Sequence, residues 1–472
     1  MKLNSVKIRV VAGLLLAMGA TGVWGEAQKR EGKPNFVVIL IDDMGYADIE
    51  PFGSTLNKTP ELNRMAEEGM KLTSVYAAAV CTPSRAALMT GCYSKRVGLA
   101  VGSWGRVLFP KDTNGLNPKE KTIAEVLKDA GYSTGCFGKW HLGDQPAFLP
   151  TRHGFDTYFG IPYSNDMWPF HSRAKKWKGG CPPLPVLSGE EVVDIVEDPG
   201  DQSLLCKRFT DEAVAFIRQN KDRPFFVYLP HAFVHGPRYA RKEFMDRASS
   251  ETKHWRQQLR AQVEEVDWST GRILDTLREL GLSRNTLVVF VSDNGGTTAS
   301  SNAPFRGSKG SSWEGGLRVP AIAWWPGTIR GGSSCGEIVT TMDLLPTFAA
   351  LGGGTVPADR TIDGKNIMPL LLEKAGAESQ YKAFFYYQGT RLAAVRSGPW
   401  KLFENGQLYN LDKDAGEQQD VSRQYPEVAE RLRGLLKQGL ADLGSVRQNG
   451  MNCRPVGRVE DPRYLEMKRS YE

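Results

Sequence analysis

The clearest pattern is a set of short apolar runs alternating with amphipathic helical stretches. Asn35-Phe-Val-Val-Ile-Leu-Ile41 is continuously apolar and rich in β-branched residues, as expected of a strand covered on both faces. Thr59-Pro60-Glu61 opens a helix whose buried stripe is Leu62, Met65 and Ala66, ending at Gly69. Thr122 to Glu125 forms a capping-box pattern before a helix that stops at Gly131, and Tyr132 to Phe137 reads as the next strand. Phe225 to Leu229 and Leu287 to Val291 are two more buried strands. Between them Trp255, Leu259, Val263 and Val266 mark an amphipathic helix reaching Leu280. This β-α-β-α order predicts an α/β fold with a large, mainly parallel sheet sandwiched by helices.

From about Gly354 the texture changes. Leu392–Arg396, Trp400–Phe403 and Gln407–Leu411 are short strand-like pieces, punctuated by Gly398-Pro399 and Asn405-Gly406, with a helix around Pro426 to Leu440. They predict a smaller C-terminal antiparallel sheet with a packed helix. The expected organisation is a leader over 1–25, a catalytic domain over 26–375 and an α+β subdomain over 376–472. Tyr158 to Asp201 is long, weakly periodic and rich in Trp, Pro and Gly, and reads as a functional loop.

The leader expectation rests on Lys2, Lys7 and Arg9, an apolar stretch from Val10 to Val23 and small residues around Gly25 or Ala27. That stretch is shorter than the ~20 residues a spanning helix needs, so export with cleavage is expected rather than stable membrane insertion. The formal net charge of +7 falls to +4 without those three residues. With no long basic run, nucleic acid is not an expected partner. A 41% hydrophobic and 24% charged composition excludes a disordered chain and a small disulfide scaffold. The seven cysteines lack CxxC spacing, and an odd count leaves one unpaired. Cys181 and Cys206, which bracket a loop, are a candidate pair.

Candidate chemistry lies after the strands. Asp42-Asp43 follows the first strand, and Asp293-Asn294 follows the Leu287–Val291 strand. Ligands of open parallel sheets bind at those carboxyl ends, and four hard oxygen donors suit calcium or magnesium. Each pair alone also reads as ordinary turn chemistry. In Cys81-Thr82-Pro83-Ser84-Arg85, Pro83 suits a first helical turn, so Cys81 lies near a helix N-terminus with Arg85 one turn along, a place that favours anions.

Cys81-x-Pro83-x-Arg85 followed by Thr90-Gly91 resembles the signature of the type I sulfatases, an arylsulfatase-A-like branch of the alkaline phosphatase superfamily. Gly138-Lys139-Trp140-His141-Leu142-Gly143, His235-Gly236-Pro237, Asp293-Asn294-Gly295, and Arg306-Gly-Ser-Lys309-Gly with Trp313-Glu314-Gly315-Gly316 resemble further family motifs in the family's order. The resemblance implies an alkaline-phosphatase-like fold. It implies that Cys81 is oxidised to formylglycine by a formylglycine-generating enzyme. One hydroxyl of the hydrate would attack sulfur, and loss of the other's proton would then expel sulfate. It also implies one calcium ion on Asp42, Asp43, Asp293 and Asn294 with a contact from position 81. Arg85, Lys139 and Lys309 would supply positive charge, His141 a base and His235, with Lys309, an acid; His231 competes with His235, because Val-His-Gly-Pro departs from the family's Pro-His-Thr-Pro.

The implied protein is an exported sulfatase, periplasmic or secreted, acting on a sulfated carbohydrate such as a carrageenan-like galactan or a glycosaminoglycan. Tyr163, Asn165, Asp166, Trp168 and His171 are its candidate sugar contacts. The competing readings are a phosphatase or phosphodiesterase of the same superfamily, a non-catalytic carbohydrate-binding relative, and a cysteine hydrolase using Cys81.

Overall fold

β1 (Asn35–Ile41) is buried along all seven residues, and its side chains feed two separate cores. Phe36, Val38 and Leu40 pack with Leu88, Leu127 and Phe348 on one face. Val37, Ile39 and Ile41 pack with Leu62, Phe209 and Val263 on the other. A strand with no solvent face has no polar positions to alternate, which is why its sequence is continuously apolar.

In this computed structural model the described residues are 32–102, 106–172, 174–176, 180–250, 253–446 and 448–467. The expected leader over 1–25 lies outside them. After β1 come α1 (Pro60–Glu68), β2 (Met70–Tyr76), α2 (Cys81–Thr90), a two-residue β3 (Asn114–Gly115), α3 (Ile123–Asp129), β4 (Ser133–Lys139) and β5 (Thr157–Ile161). β6 (Leu184–Ser188), β7 (Glu191–Val196), α4 (Pro199–Gln219), β8 (Phe225–Pro230), α5 (Lys242–Arg247), α6 (His254–Glu279) and β9 (Thr286–Ser292) follow. α7 (Glu314–Leu317), β10 (Arg318–Trp324), β11 (Ser333–Cys335), β12 (Val339–Thr340), α8 (Leu344–Gly352) and α9 (Met368–Leu371) complete the larger part.

All of these strands except β3 build one eleven-stranded sheet, ordered β11-β2-β10-β9-β1-β8-β4-β5-β6-β7, with β12 also on β2. β9, β1, β8, β4 and β5 are mutually parallel; β10 runs antiparallel on one side and β6 on the other, and β7 turns back along β6. α1, α4 and α6 cover one face, and α2, α3 and α8 the other. The expected α/β class with a mainly parallel sheet is what forms.

The smaller sheet is β13 (Phe384–Gln388), β14 (Arg391–Ser397), β15 (Trp400–Phe403) and β16 (Leu408–Asn410), all antiparallel. Adjacent β14 residues point opposite ways. Val395 packs with Ala429 and Leu432 of α10 (Pro426–Leu443), whereas Ala394 faces Tyr76, Leu317 and Met342 of the larger part. The chain from Lys33 onward is one compact unit.

Three expectations fail. The Tyr158–Asp201 stretch is a loop only in part: β5, β6 and β7 extend the main sheet into it, while its described residues between Ile161 and Leu184 form no strand. Its weak periodicity reflects a bulge between Val186 and Leu187 and a hairpin with one partly exposed strand. Cys181 and Cys206 do not pair; both are free thiols, and Cys206 is buried under α6 with Glu265 O its nearest acceptor. Trp255 does not belong to the buried stripe of α6. It sits in the first turn, 41% exposed, while Leu259, Val263 and Val266 are buried.

The capping box of α3 is intact. The Thr122 hydroxyl accepts from Glu125 N at 3.1 Å and donates to His153 O at 2.8 Å, and Glu125 Oε2 accepts from Thr122 N. Thr122→Ala should therefore lower stability by about 1–2 kcal/mol, read as a lower midpoint in denaturant or heat. An unchanged midpoint would show that the box carries no net stabilisation.

Candidate active site

Parallel pairing sets the site. Asp293 N donates to Ile41 O, so the residues just beyond β1 and β9 lie side by side. Asp42 N donates to Phe233 O, and Val234 N to Asp42 O, which draws the chain after β8 across the same edge. Lys139 ends β4, and Cys81 is the first residue of α2. Asp43 and His141 have left-handed backbones, with φ of 62° and 61°. Non-glycine residues adopt that region at a cost, and such strain clusters where a turn must aim a side chain.

The side chains converge. Cys81 Sγ lies 3.3 Å from Asp42 Oδ1 and 3.2 Å from Lys309 Nζ. Lys309 Nζ is also 2.6 Å from Asp43 Oδ1. The fully buried Arg85 guanidinium bridges Asp42 Oδ2 and Asp293 Oδ2, at 3.1 Å each. Lys139 Nζ pairs with Asp42 Oδ2 and donates to Ser164 Oγ at 3.0 Å. His235 Nε2 is 3.5 Å from Asp43 Oδ2. His231 instead bonds to Ser269 of α6, so His235 is the histidine that faces the acids.

His141 Nε2 lies 3.0 Å from Leu108 O. A carbonyl only accepts, so Nε2 carries the hydrogen. Nδ1 is buried without a hydrogen-bond partner. Burial, reinforced by Lys139 and Arg85, pushes the ring's pKa well below the usual histidine range, so Nδ1 is a free basic nitrogen at neutral pH.

Burial alone would raise the Asp42 carboxyl, but Lys139, His235, Arg85 and Lys309 outweigh it and hold its pKa well below the usual range. Asp293 goes the other way: burial and the neighbouring Asp42 charge raise it to about 6. Burial would lower Lys309, yet Asp43 and the other facing groups carry it well above the usual lysine value. Burial, then the Asp42 charge, pushes the Cys81 thiol far up. An unmodified thiol there stays protonated, which counts against the cysteine-hydrolase reading.

The oxygen donors of the site suit a hard divalent cation. Asp42, Asp43, Cys81 and His235 each offer one ligand atom within 4.8 Å of the others. Asn294 Nδ2 is used by Asp43 Oδ1 at 2.8 Å, while Asn294 Oδ1 is buried with no donor. A buried acceptor left unpaired is costly, and a cation beside the carboxylates is the partner that chemistry supplies. Formally, Asp42, Asp43 and Asp293 balance Arg85, Lys139 and Lys309. A divalent cation would therefore leave the site positive, as an anionic substrate needs.

Two polar contacts escaped the sequence reading. Ser164 holds Lys139. Thr82 Oγ1 donates to His141 O at 3.1 Å and accepts from Leu108 N, fixing the turn that presents His141. Thr82 is a variable position of the cysteine motif, and Ser164 lies among residues read as sugar contacts, so neither carried a signal of its own. The proposed sugar platforms are not available: Tyr163, Asn165 and Trp168 are buried, with Tyr163 bonded to Pro183 O and Trp168 to Val196 O. Asp166 and His171 are partly buried beside them.

Comparison with known proteins agrees with this geometry. The Sulfatase family model matches residues 34–354. The chain belongs to the sulfatase family. A model for the C-terminal part of N-sulphoglucosamine sulphohydrolase matches residues 308–443. Mouse (Mus musculus) steryl-sulfatase is 35% identical, over 92% of this chain and 85% of its own length. Mouse N-acetylgalactosamine-6-sulfatase is 38% identical, over 82% and 75%. The solved structure of Ps i-CgsB superposes with a TM-score of 0.76 at 31% identity, covering 86% of this chain and 92% of that one; a second structure of it holds k-i-k-neocarrahexaose. This sulfatase is accordingly a sulfuric ester hydrolase.

If Asp293 is one of the cation's ligands, as the sequence motifs imply, its ionisation would link cation binding to pH. Burial and the Asp42 charge raise its folded value to about 6, so below that pH the ion-free carboxyl is mostly protonated and a bound cation would have to displace the proton. Divalent-cation affinity should rise as pH climbs towards 6, by up to about tenfold per unit, and level off above it. Calorimetry in buffers of different ionisation enthalpy should detect proton release at pH 5 and none at pH 8. Equal proton release at both would contradict the assignment.

Proposed function

We propose that this sulfatase is exported and removes sulfate from sulfated carbohydrates, with formylglycine formed from Cys81 and one calcium ion. The observation that carries the reading is the placement of Cys81 Sγ between Asp42 Oδ1 and Lys309 Nζ, at the N-terminus of α2 and in the same buried cluster as the unpaired Asn294 Oδ1. The phosphatase reading predicts histidine-rich ligands, whereas the cluster offers a single histidine, His235, beside two acids and Cys81, with the Asn294 amide adjoining.

Asp42, Asp43, Asp293 and Asn294 would hold the calcium, which supplies positive charge for a sulfate oxygen. Formylglycine supplies, as its hydrate, two hydroxyls on one carbon, which neither cysteine nor serine has. The chain's own residues do the rest. Arg85, locked between Asp42 and Asp293, orients position 81 and adds fixed charge. Lys139 and Lys309 face the same anion from opposite acids, so charge developing on sulfate meets preorganised donors. His141 Nδ1, neutral and unpaired, takes the proton from position 81. His235, 15% exposed at the edge of the cluster, gives a proton to the departing alcohol oxygen, assisted by Lys309.

Maturation requires a formylglycine-generating enzyme as a transient partner. Export rests on the charged, apolar, small-residue order of the first 25 residues. Among the described residues no helix is long and apolar enough to cross a membrane. The substrate class is a sulfated galactan of carrageenan type or a glycosaminoglycan, supported by the oligosaccharide bound to Ps i-CgsB and by the similarity to N-acetylgalactosamine-6-sulfatase.

Mass analysis of the tryptic peptide containing residue 81, from protein made in its natural host, should find the aldehyde or its hydrate. Unmodified thiol throughout would defeat the reading. Cys81→Ala should abolish sulfate release while leaving thermal unfolding close to wild type, and retained turnover would mean the nucleophile is misassigned. Defined sulfated oligosaccharides should give a higher kcat/KM than 4-nitrophenyl sulfate; the reverse order would remove the carbohydrate assignment but not the sulfatase one.

A further inference from the structure

Of the three site cations, Arg85 rides on α2 and Lys139 on β4, but Lys309 belongs to an irregular segment between β9 and α7. Gly307 and Gly310, with φ of 88° and 84°, turn the chain on either side of it. Two backbone bonds tie this turn to the site: Lys309 N to Gly296 O at 3.0 Å and Gly310 N to Ala79 O at 2.8 Å.

Further ties come from the C-terminal part of the chain, in the small sheet and the turn that follows it. Gln388, at the exposed end of β13, donates Nε2 to Gly310 O at 2.7 Å. Glu417 clamps both ends of the segment. Its carbonyl accepts from Arg306 Nη1 at 3.0 Å, and its Oε2 accepts from Glu314 N at 2.7 Å. Arg306 in turn stacks on Trp313 at 3.8 Å. Lys401 of β15, completely buried, joins Glu314 Oε1 at 3.0 Å to Glu417 Oε1 at 2.8 Å, and Tyr76 and Tyr386 also donate to Glu314. Glu417 itself adopts φ of 53°, a left-handed backbone that a glutamate takes only when its surroundings impose it.

A buried ion cluster is weak as a source of stability, because desolvation offsets much of the attraction and apolar replacements are often as stable. What a hydrogen-bonded cluster supplies is a fixed geometry. Lys309 Nζ, held 3.2 Å from Cys81 Sγ and 2.6 Å from Asp43 Oδ1, is where geometry matters. We propose that Lys401, Glu417 and Gln388 are positioning residues that act through Lys309, so that the C-terminal sheet sets the place of a catalytic cation. This rests on the catalytic reading of Lys309 given above.

The test is a double-mutant cycle in the full-length, mature enzyme with 4-nitrophenyl sulfate. Lys401→Met, Glu417→Gln and Gln388→Ala are made alone and together with Lys309→Ala, the latter assayed at high enzyme concentration. Alone, the two buried changes should lower kcat by ~10–100-fold and Gln388→Ala by a few-fold, with KM and calcium affinity little changed. In the Lys309→Ala background the same changes should have almost no further effect, because the group they place is gone. Equal losses in both backgrounds would show a merely structural role and overturn the proposal. Gln388 is on the surface, so Gln388→Ala decides the matter if the buried variants fail to unfold cooperatively at the wild-type temperature. A Lys309→Ala enzyme as fast as wild type would instead remove the catalytic reading of Lys309.

Discussion

The site depends on one buried charge balance. Arg85, with no exposed side-chain surface, sits between Asp42 and Asp293, and Lys139 closes on Asp42 from the other side. Neither sign is tolerable alone in that position. An uncompensated buried charge costs about 3–5 kcal/mol, so the fold keeps both or neither. Because the acids come from β1 and β9 and the cations from α2 and β4, the balance also fixes how these elements meet. The geometry is therefore set during folding, and no reorganisation is left for the moment of reaction.

Parallel register makes that balance possible. With β9, β1, β8 and β4 parallel, their carboxyl ends share an edge, and every strand that leaves it can add a polar group without disturbing the apolar layers beneath. The cost appears locally, in the left-handed backbones of Asp43 and His141. Thr82 and Ser164 offset part of it by holding the His141 turn and the Lys139 ammonium. The C-terminal part contributes from outside the edge, through Gln388 of β13 and Glu417 of the turn after β16, to the segment carrying the site cation that no strand or helix holds.

How much was legible in the sequence follows from range of interaction. β1, α1 and α3 could be read because period, caps and a proline at the first turn are local signals, and α1 buries the three residues its spacing marks. The candidate site residues that the structure brings together could be named because motifs keep their order along the chain. Long-range packing was not legible. Trp168 and Tyr163 look like sugar platforms in isolation, yet hydrogen bonds to Val196 O and Pro183 O spend their polar ends inside the fold. Trp255 continues the periodicity of α6 but falls in its first turn, where it is left partly exposed. Lys401 and Glu417 carried no signal, since a charged residue in a short strand or turn ordinarily faces solvent.

The electrostatics of Cys81 bear on why a modified residue would stand at this position. The carboxylates that suit a cation also surround the sulfur, and burial adds to their effect, so the thiolate that cysteine chemistry needs is disfavoured. Lys139 and Lys309 oppose this, but less strongly than burial and Asp42 together. A neutral hydroxyl at position 81 would have no such conflict: it would donate to Asp42 where the Cys81 sulfur now lies, and under the proposed function it would lose its proton only as the reaction proceeds. The same acids thus favour an oxygen nucleophile over a sulfur one, and the environment of the unmodified side chain argues for the chemistry proposed in its place.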